Sequence, residues 1–167
     1  MAPAIQFERH QIVFAEQPPA PGARPLSIAI IGWYLLLCAV GTAVGAILRV
    51  PGVFFGAVFT GWTAMAVYTA FTAVEIYLGS GLLQLQEPTR VASIVYFAVM
   101  AVSSVVTCVV PGFATRMQTL QQAMPAFLRA PQAPASLEGT SGLMLISTLF
   151  MAVPIWFLVR RRAAFRG

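Results

Sequence analysis

Four long uncharged apolar stretches dominate this sequence: Leu26–Leu48, Val50–Val74, Val91–Ala114 and Gly139–Val159. A helix rises about 1.5 Å per residue and the hydrocarbon core of a bilayer is about 30 Å thick, so roughly 20 apolar residues make one span. The stretches are continuously apolar, whereas strands of a membrane barrel alternate apolar and polar residues. The sequence therefore predicts an all-α integral membrane protein with four transmembrane helices in an antiparallel bundle.

The composition excludes a water-soluble protein. Hydrophobic residues make up 59% of the chain and charged residues only 9%, so a soluble fold would expose far more apolar surface than soluble monomers do. All the basic residues are arginine, and the net charge is +5. We interpret this charge as a topological signal and as attraction to anionic lipid. The expected partner is the lipid bilayer, and no nucleic acid is expected to bind.

The domain layout follows from the apolar stretches. We expect a Pro-rich cytoplasmic tail over residues 1–25, a transmembrane domain over 26–160 and a basic cytoplasmic tail over 161–167. The spans are predicted at about 27–48, 53–83, 91–110 and 142–159. When they are threaded alternately, most arginines fall on one side, which places both termini in the cytoplasm. No signal peptide is evident, and in hydropathy and size the chain resembles bacterial four-span proteins, so we expect the bacterial inner membrane.

The segment 111–141, between spans three and four, is predicted to contain an amphipathic helix outside the membrane. Large apolar side chains recur there at intervals of four and three residues, which places them on one helix face; they are Phe113, Met117, Leu120, Met124 and Phe127. This face could lie on the membrane surface, cap the bundle or bind a partner. Pro125 is expected to kink or end the helix. The apolar residues of the N-terminal tail between 5 and 16 are likewise expected to dock, on the bundle, a partner or lipid.

Small residues indicate where helices could approach one another closely. The candidates for helix packing are Gly41 and Gly45 in span one, and Gly52, Gly56 and Gly61 at the start of span two. We expect them to pack between the first two helices or against a second polypeptide.

Glu75 is the one acidic residue that could lie inside the membrane, with Tyr68 and Thr72 on a similar helix face as its expected hydrogen-bond partners. Counting about 20 residues inward from Val53 places Glu75 about one turn beyond the hydrocarbon. Glu75 is therefore either an interfacial, structural carboxylate or a proton or cation site. The apolar character continues to Leu85, which is too long for one span, so a break is expected at Gly79–Gly81.

The sequence shows no constellation for catalysis: no catalytic residue, no cofactor and no metal site is predicted. Its single histidine, His10, lacks nearby ligands, and Cys38 and Cys108 differ in depth by too much for a disulfide. We therefore expect a protein that is not an enzyme. The favoured function is a non-catalytic accessory or scaffolding subunit, with other membrane subunits or a homo-oligomer as partners. The alternative is a small oligomeric transporter or channel component that uses Glu75.

Overall fold

The computed structural model describes residues 25–124 and 137–165, and its regular structure is almost entirely helical. In chain order the elements are α1 (Leu26–Ile47), β1 (Gly52–Phe54), β2 (Ala57–Phe59), α2 (Gly61–Leu83), α3 (Glu87–Val109), α4 (Phe113–Ala123), α5 (Leu137–Arg160) and a final 3-10 turn (Arg162–Phe165). The predicted all-α class is confirmed, with a small β-hairpin added. The predicted N-terminal tail up to residue 24 lies outside the described residues.

Three helices, α1, α2 and α3, are long and apolar enough to cross a membrane. This agrees with the predicted membrane localisation. In α5 the described apolar portion is the shorter segment Thr148–Arg160, and Pro154 lies within it.

The predicted start of the second span at residue 53 is wrong, because a β-hairpin precedes α2. Gly52 pairs with Phe59 and Phe54 pairs with Ala57 in antiparallel register. Phe55 and Gly56 form the two-residue turn, and both have positive φ angles, 47° and 76°, as in the turns that match the twist of a hairpin. The hairpin residues are as apolar as a span, so hydropathy does not separate them from α2.

The expected break at Gly79–Gly81 is also wrong, because α2 continues without interruption to Leu83. Once the hairpin is removed from the long apolar segment, the remaining helix has 23 residues, a length that fits one span. The apolar segment is too long for one span because its first residues form the hairpin, and not because the helix breaks near its last residues.

The segment between α3 and α5 differs from its predicted bounds. Helix α4 ends at Ala123, two residues before Pro125. This end is expected, because the residue that precedes a proline disfavours helical backbone angles. Helix α5 begins at Leu137, so residues 137–141 belong to this helix and not to the connection. Residues 125–136 lie outside the described residues.

The long helices pack as two pairs, α1 with α2 and α3 with α5, and the pairs meet mainly through α2 and α3. In the first pair Gly32 lies against Gly79, and Gly45 lies against the ring of Tyr68. In the second pair Arg90 donates a 3.1 Å hydrogen bond to the carbonyl oxygen of Leu158, while two further bonds of 2.7 Å join its guanidinium to Glu87. The buried core comprises Ile28, Ile31, Leu35, Leu78, Leu82, Phe97, Leu158 and Phe165.

Candidate functional site

The candidate site is a buried carboxylate on α2. Only 4% of Glu75 is exposed. Because α2 begins at Gly61, Glu75 lies about 21 Å along the helix from that end and about 12 Å from the end at Leu83. The predicted depth, beyond the hydrocarbon, was counted from Val53, which lies inside the hairpin. Glu75 belongs to α2, a helix that is long and apolar enough to cross a membrane.

The carboxylate of Glu75 is held by hydroxyl groups from the two neighbouring helices. Thr42 Oγ1 on α1 lies 2.8 Å from Glu75 Oε2, and the Tyr96 hydroxyl on α3 donates a 2.6 Å hydrogen bond to Oε1. The sequence predicted neither partner, because both lie on other helices. The only sequence signal for Thr42 is its position on one face of α1 with Tyr34 and Cys38, at intervals of four residues.

The two predicted partners occupy different positions. Thr72 belongs to the cluster indirectly, since its Oγ1 lies 2.9 Å from Thr42 Oγ1. The Tyr68 side chain is directed elsewhere, since its ring packs edge-on against Phe59, with centroids 5.6 Å apart, and touches Gly45. Tyr68 contributes only its backbone carbonyl, which accepts a 2.8 Å hydrogen bond from Thr72.

This network can satisfy Glu75 in either charge state. Thr42 Oγ1 also lies 3.1 Å from the carbonyl oxygen of Ala39, but its single hydrogen cannot serve every neighbour at once. When Glu75 is ionised, Thr42 donates to it, and Thr72 donates either to Thr42 or to the carbonyl oxygen of Tyr68. When Glu75 is protonated, the carboxyl donates to Thr42, which donates to Ala39 or Thr72, and Thr72 donates to Tyr68. The change requires hydroxyl rotation and no displacement of heavy atoms.

A second pair of polar side chains connects this cluster to the surface. Tyr34 and Cys38 interact through the hydroxyl and the thiol, and both lie close enough to Glu75 for electrostatic interaction. Tyr34 is 42% exposed and lines an open groove between α1 and α5. Tyr34 therefore borders the groove, and Cys38 lies four residues from both Tyr34 and Thr42 along α1.

The polar residues of α3 near its end hold the hairpin. The Phe55 amide donates a 2.9 Å hydrogen bond to Ser103 Oγ, and the Gly56 amide donates a 3.1 Å bond to Thr107 Oγ1. Arg116 of α4 donates to the carbonyl oxygens of Thr107, Val110 and Pro111, which the end of a helix leaves without intrahelical donors.

The predicted helix-packing glycines separate into three groups. Gly45 packs in the α1–α2 interface, whereas a β-carbon added to Gly41 or Gly61 would have no atom of the described residues within 4 Å. Gly52 and Gly56 lie in the hairpin, which corrects their predicted place in a helix. Helices α1 and α2 also approach each other closely at Gly32 and Gly79, a pair that the sequence pattern does not single out.

The predicted apolar face of α4 is described in part. Leu120 is 8% exposed and Met124 is half-buried, so this part of the face turns toward the protein. Phe113 lies at the start of α4 and Met117 in its second turn, and Phe127 lies outside the described residues.

The groups present limit the chemistry that the site offers. One carboxylate, several hydroxyls and a thiol can hold and pass a proton, and within residues 25–124 and 137–165 no three metal-ligating side chains cluster. Comparisons of the chain with protein-family models, curated proteins and solved structures find no match.

Proposed function

We propose that Glu75 takes up and releases a proton within the membrane, and that the chain is a component of a small oligomeric transporter or channel. The observation that carries this proposal is the burial of Glu75 against two hydroxyl groups. Neither of these described partners brings a positive charge. The carboxylate is therefore held by neutral hydroxyl groups and not by an ion pair among the described residues.

A proton fits the site better than a metal cation. Hard cations in proteins take about six or more oxygen ligands, whereas Glu75 supplies one carboxylate and neutral hydroxyls surround it. The titratable side chains that face it are Tyr34 and Cys38 on α1 and Tyr96 on α3. The exchange of hydrogen-bond direction among Thr42, Thr72 and Glu75 gives each protonation state a satisfied network.

The proposal includes a topology of four spans in an antiparallel bundle, with both termini in the cytoplasm of a bacterium. Helix α5 has 24 residues and is about 36 Å long, enough for a fourth span. Arg160, Arg161 and Arg162 follow one another at its end, which supports the cytoplasmic placement. Cysteine accessibility labelling of single-cysteine variants at residues 2 and 167 tests this topology from each side of the membrane.

Infrared difference spectroscopy of the reconstituted protein tests the protonation of Glu75 directly. As the pH is changed, we expect the band of a protonated carboxyl to appear and to be absent in Glu75→Gln, which keeps the side-chain shape but cannot ionise. Tyr96→Phe should shift the band, because it removes a hydrogen bond to the carboxyl. Tyr77→Phe is the matched control, because Tyr77 is 56% exposed on the same helix as Glu75.

The same variants are then compared in proteoliposomes that contain a pH-sensitive dye. The proposal requires proton flux that Glu75→Gln abolishes while Tyr77→Phe retains it. A carboxyl band that stays constant over the accessible pH range, or flux equal in the wild type and Glu75→Gln, contradicts the proposal.

A second candidate is a non-catalytic accessory or scaffolding subunit of a larger membrane complex. It is favoured by the helix packing, since α1 and α5 touch only slightly and leave an open groove on which another membrane helix could pack. Native mass spectrometry of the protein from its own membrane tests this candidate. Different polypeptides at fixed stoichiometry support the accessory role, whereas a monomer or homo-oligomer excludes it.

A further inference from the structure

The groove between α1 and α5 is an apolar cleft with a polar atom at one end. It encloses about 380 Å³, within the range of about 300 to 1,000 Å³ that is common for small-molecule sites. Ile30 and Tyr34 line one wall, and Phe150 and Val153 line the other. These side chains are between 42% and 70% exposed, so the cleft opens sideways, toward the lipid in a membrane.

Two features give the groove a polar end. Ser27 lines it in the first turn of α1, and its Oγ is buried without a hydrogen-bond partner among the described residues, which is costly for a hydroxyl. Phe157 lines the same end, three residues before the run Arg160–Arg162. The sequence from Arg160 to Gly167 contains no acidic residue, so positive charge accumulates beside the polar end of the groove.

We infer that the groove binds one anionic phospholipid. An acyl chain lies between α1 and α5, the Ser27 hydroxyl donates to an ester carbonyl oxygen of the lipid, and the phosphate faces Arg160 and Arg162. Charge selects this occupant, because the apolar walls suit any acyl chain or helix, whereas the arginines beside the polar end of the groove favour an anionic headgroup. This inference is independent of proton exchange at Glu75, and its readout is lipid binding.

The test is native mass spectrometry of the delipidated full-length protein, titrated with phosphatidylglycerol or with phosphatidylcholine of the same acyl chains. We expect one phosphatidylglycerol to bind at least about tenfold more tightly than phosphatidylcholine. Arg160→Gln and Arg162→Gln should each weaken binding of phosphatidylglycerol about fivefold. Ser27→Ala should weaken binding of both lipids by a similar, smaller factor.

Filling the groove tests the position of the acyl chain. Val153→Trp and Ile30→Trp, from opposite walls, should each reduce binding at least about tenfold. Val99→Trp is the matched control, because Val99 is 39% exposed on α3 and does not line the groove. Circular dichroism and size-exclusion chromatography verify that each variant is folded. Equal binding of the two lipids, binding unaffected by both groove tryptophans, or a second copy of the chain in place of the lipid overturns the inference.

Discussion

The two interfaces of α1 differ in how closely the helices approach. Against α2, small residues oppose each other and hydroxyl groups cross the interface to Glu75. Against α5, the facing residues include Ile30 and Phe150, and a groove remains between the helices. We call these the closed interface and the open interface of α1.

The difference shows what closes an interface between membrane helices. Lipid tails are as apolar as leucine, so apolar side chains gain little by leaving lipid for one another. Close backbone approach and interhelical hydrogen bonds do bring helices together, and the closed interface has both. Pro154 adds to the contrast, because it lacks an N–H group and interrupts the backbone hydrogen bonding of α5 beside the groove.

The largest expected effect comes from crowding the closed interface. A β-carbon on Gly79 would lie 3.0 Å from the carbonyl oxygen of Gly32 and 2.9 Å from Leu36, so Gly79→Val must separate α1 from α2. We expect a loss of about 3 kcal/mol in the free energy of unfolding, measured by titration with sodium dodecyl sulfate in mixed micelles.

Gly41→Val is the control for this prediction, because no described atom outside the local backbone of α1 lies within 4 Å of a β-carbon there. It should change stability by less than about 0.5 kcal/mol. Equal losses for the two variants would show that the position of the glycine in the interface is irrelevant.

The second-largest loss of stability is expected when a hydrogen bond to Glu75 is removed. Tyr96→Phe removes the 2.6 Å bond to Glu75 and should destabilise the protein by about 2 kcal/mol, because a buried acceptor that loses its donor costs about 1 to 3 kcal/mol. Tyr77→Phe, on the exposed side of α2, should be nearly neutral in the same titration. If Tyr96→Phe is equally neutral, the cluster does not stabilise the interface.

The hairpin at the end of the closed interface gives a smaller effect. Ser103→Ala leaves the Phe55 amide without its 2.9 Å acceptor, and we expect a loss of about 1 kcal/mol. Amide hydrogen exchange at Phe55 and Gly56 should accelerate. The neighbouring substitution Ser104→Ala is the control, and faster exchange in that variant as well would argue against a specific contact by Ser103.

The smallest effect is expected at the open interface. Val153→Trp places a large side chain in a groove that is already open, so the free energy of unfolding should change by less than about 0.5 kcal/mol. A loss as large as that of Gly79→Val would mean that α1 and α5 are as tightly packed as α1 and α2.

The sequence predicted what depends on hydropathy and missed what depends on contact between helices. The all-α class and the three apolar helices follow from length and composition alone. The hairpin does not, because Val53 to Phe59 is apolar and its turn uses Phe55 at a positive φ angle, where asparagine or glycine would be the usual signal.

The sequence indicates the candidate site only through the presence of one carboxylate in an apolar segment. Glu75 stands out because a carboxylate is rare in a membrane span, and its predicted depth depends on a count from Val53, a residue that lies in the hairpin. Thr42 and Tyr96 could not be identified, since a sequence does not show which faces of three helices meet. For the same reason the sequence does not indicate the contact between Gly32 and Gly79. These glycines lie on different helices, whereas the sequence pattern for helix packing is two small residues four positions apart on one helix.

The contacts of Arg116 have a mechanical consequence. The guanidinium ties α4 to the last carbonyls of α3, including that of Thr107, and the side chains of Ser103 and Thr107 tie the same end of α3 to the hairpin. Thr107 therefore links α4 to the connection between α1 and α2. A molecule that pulled on α4 from outside the bundle would bear on the connection between the helix that supplies Thr42 and the helix that carries Glu75.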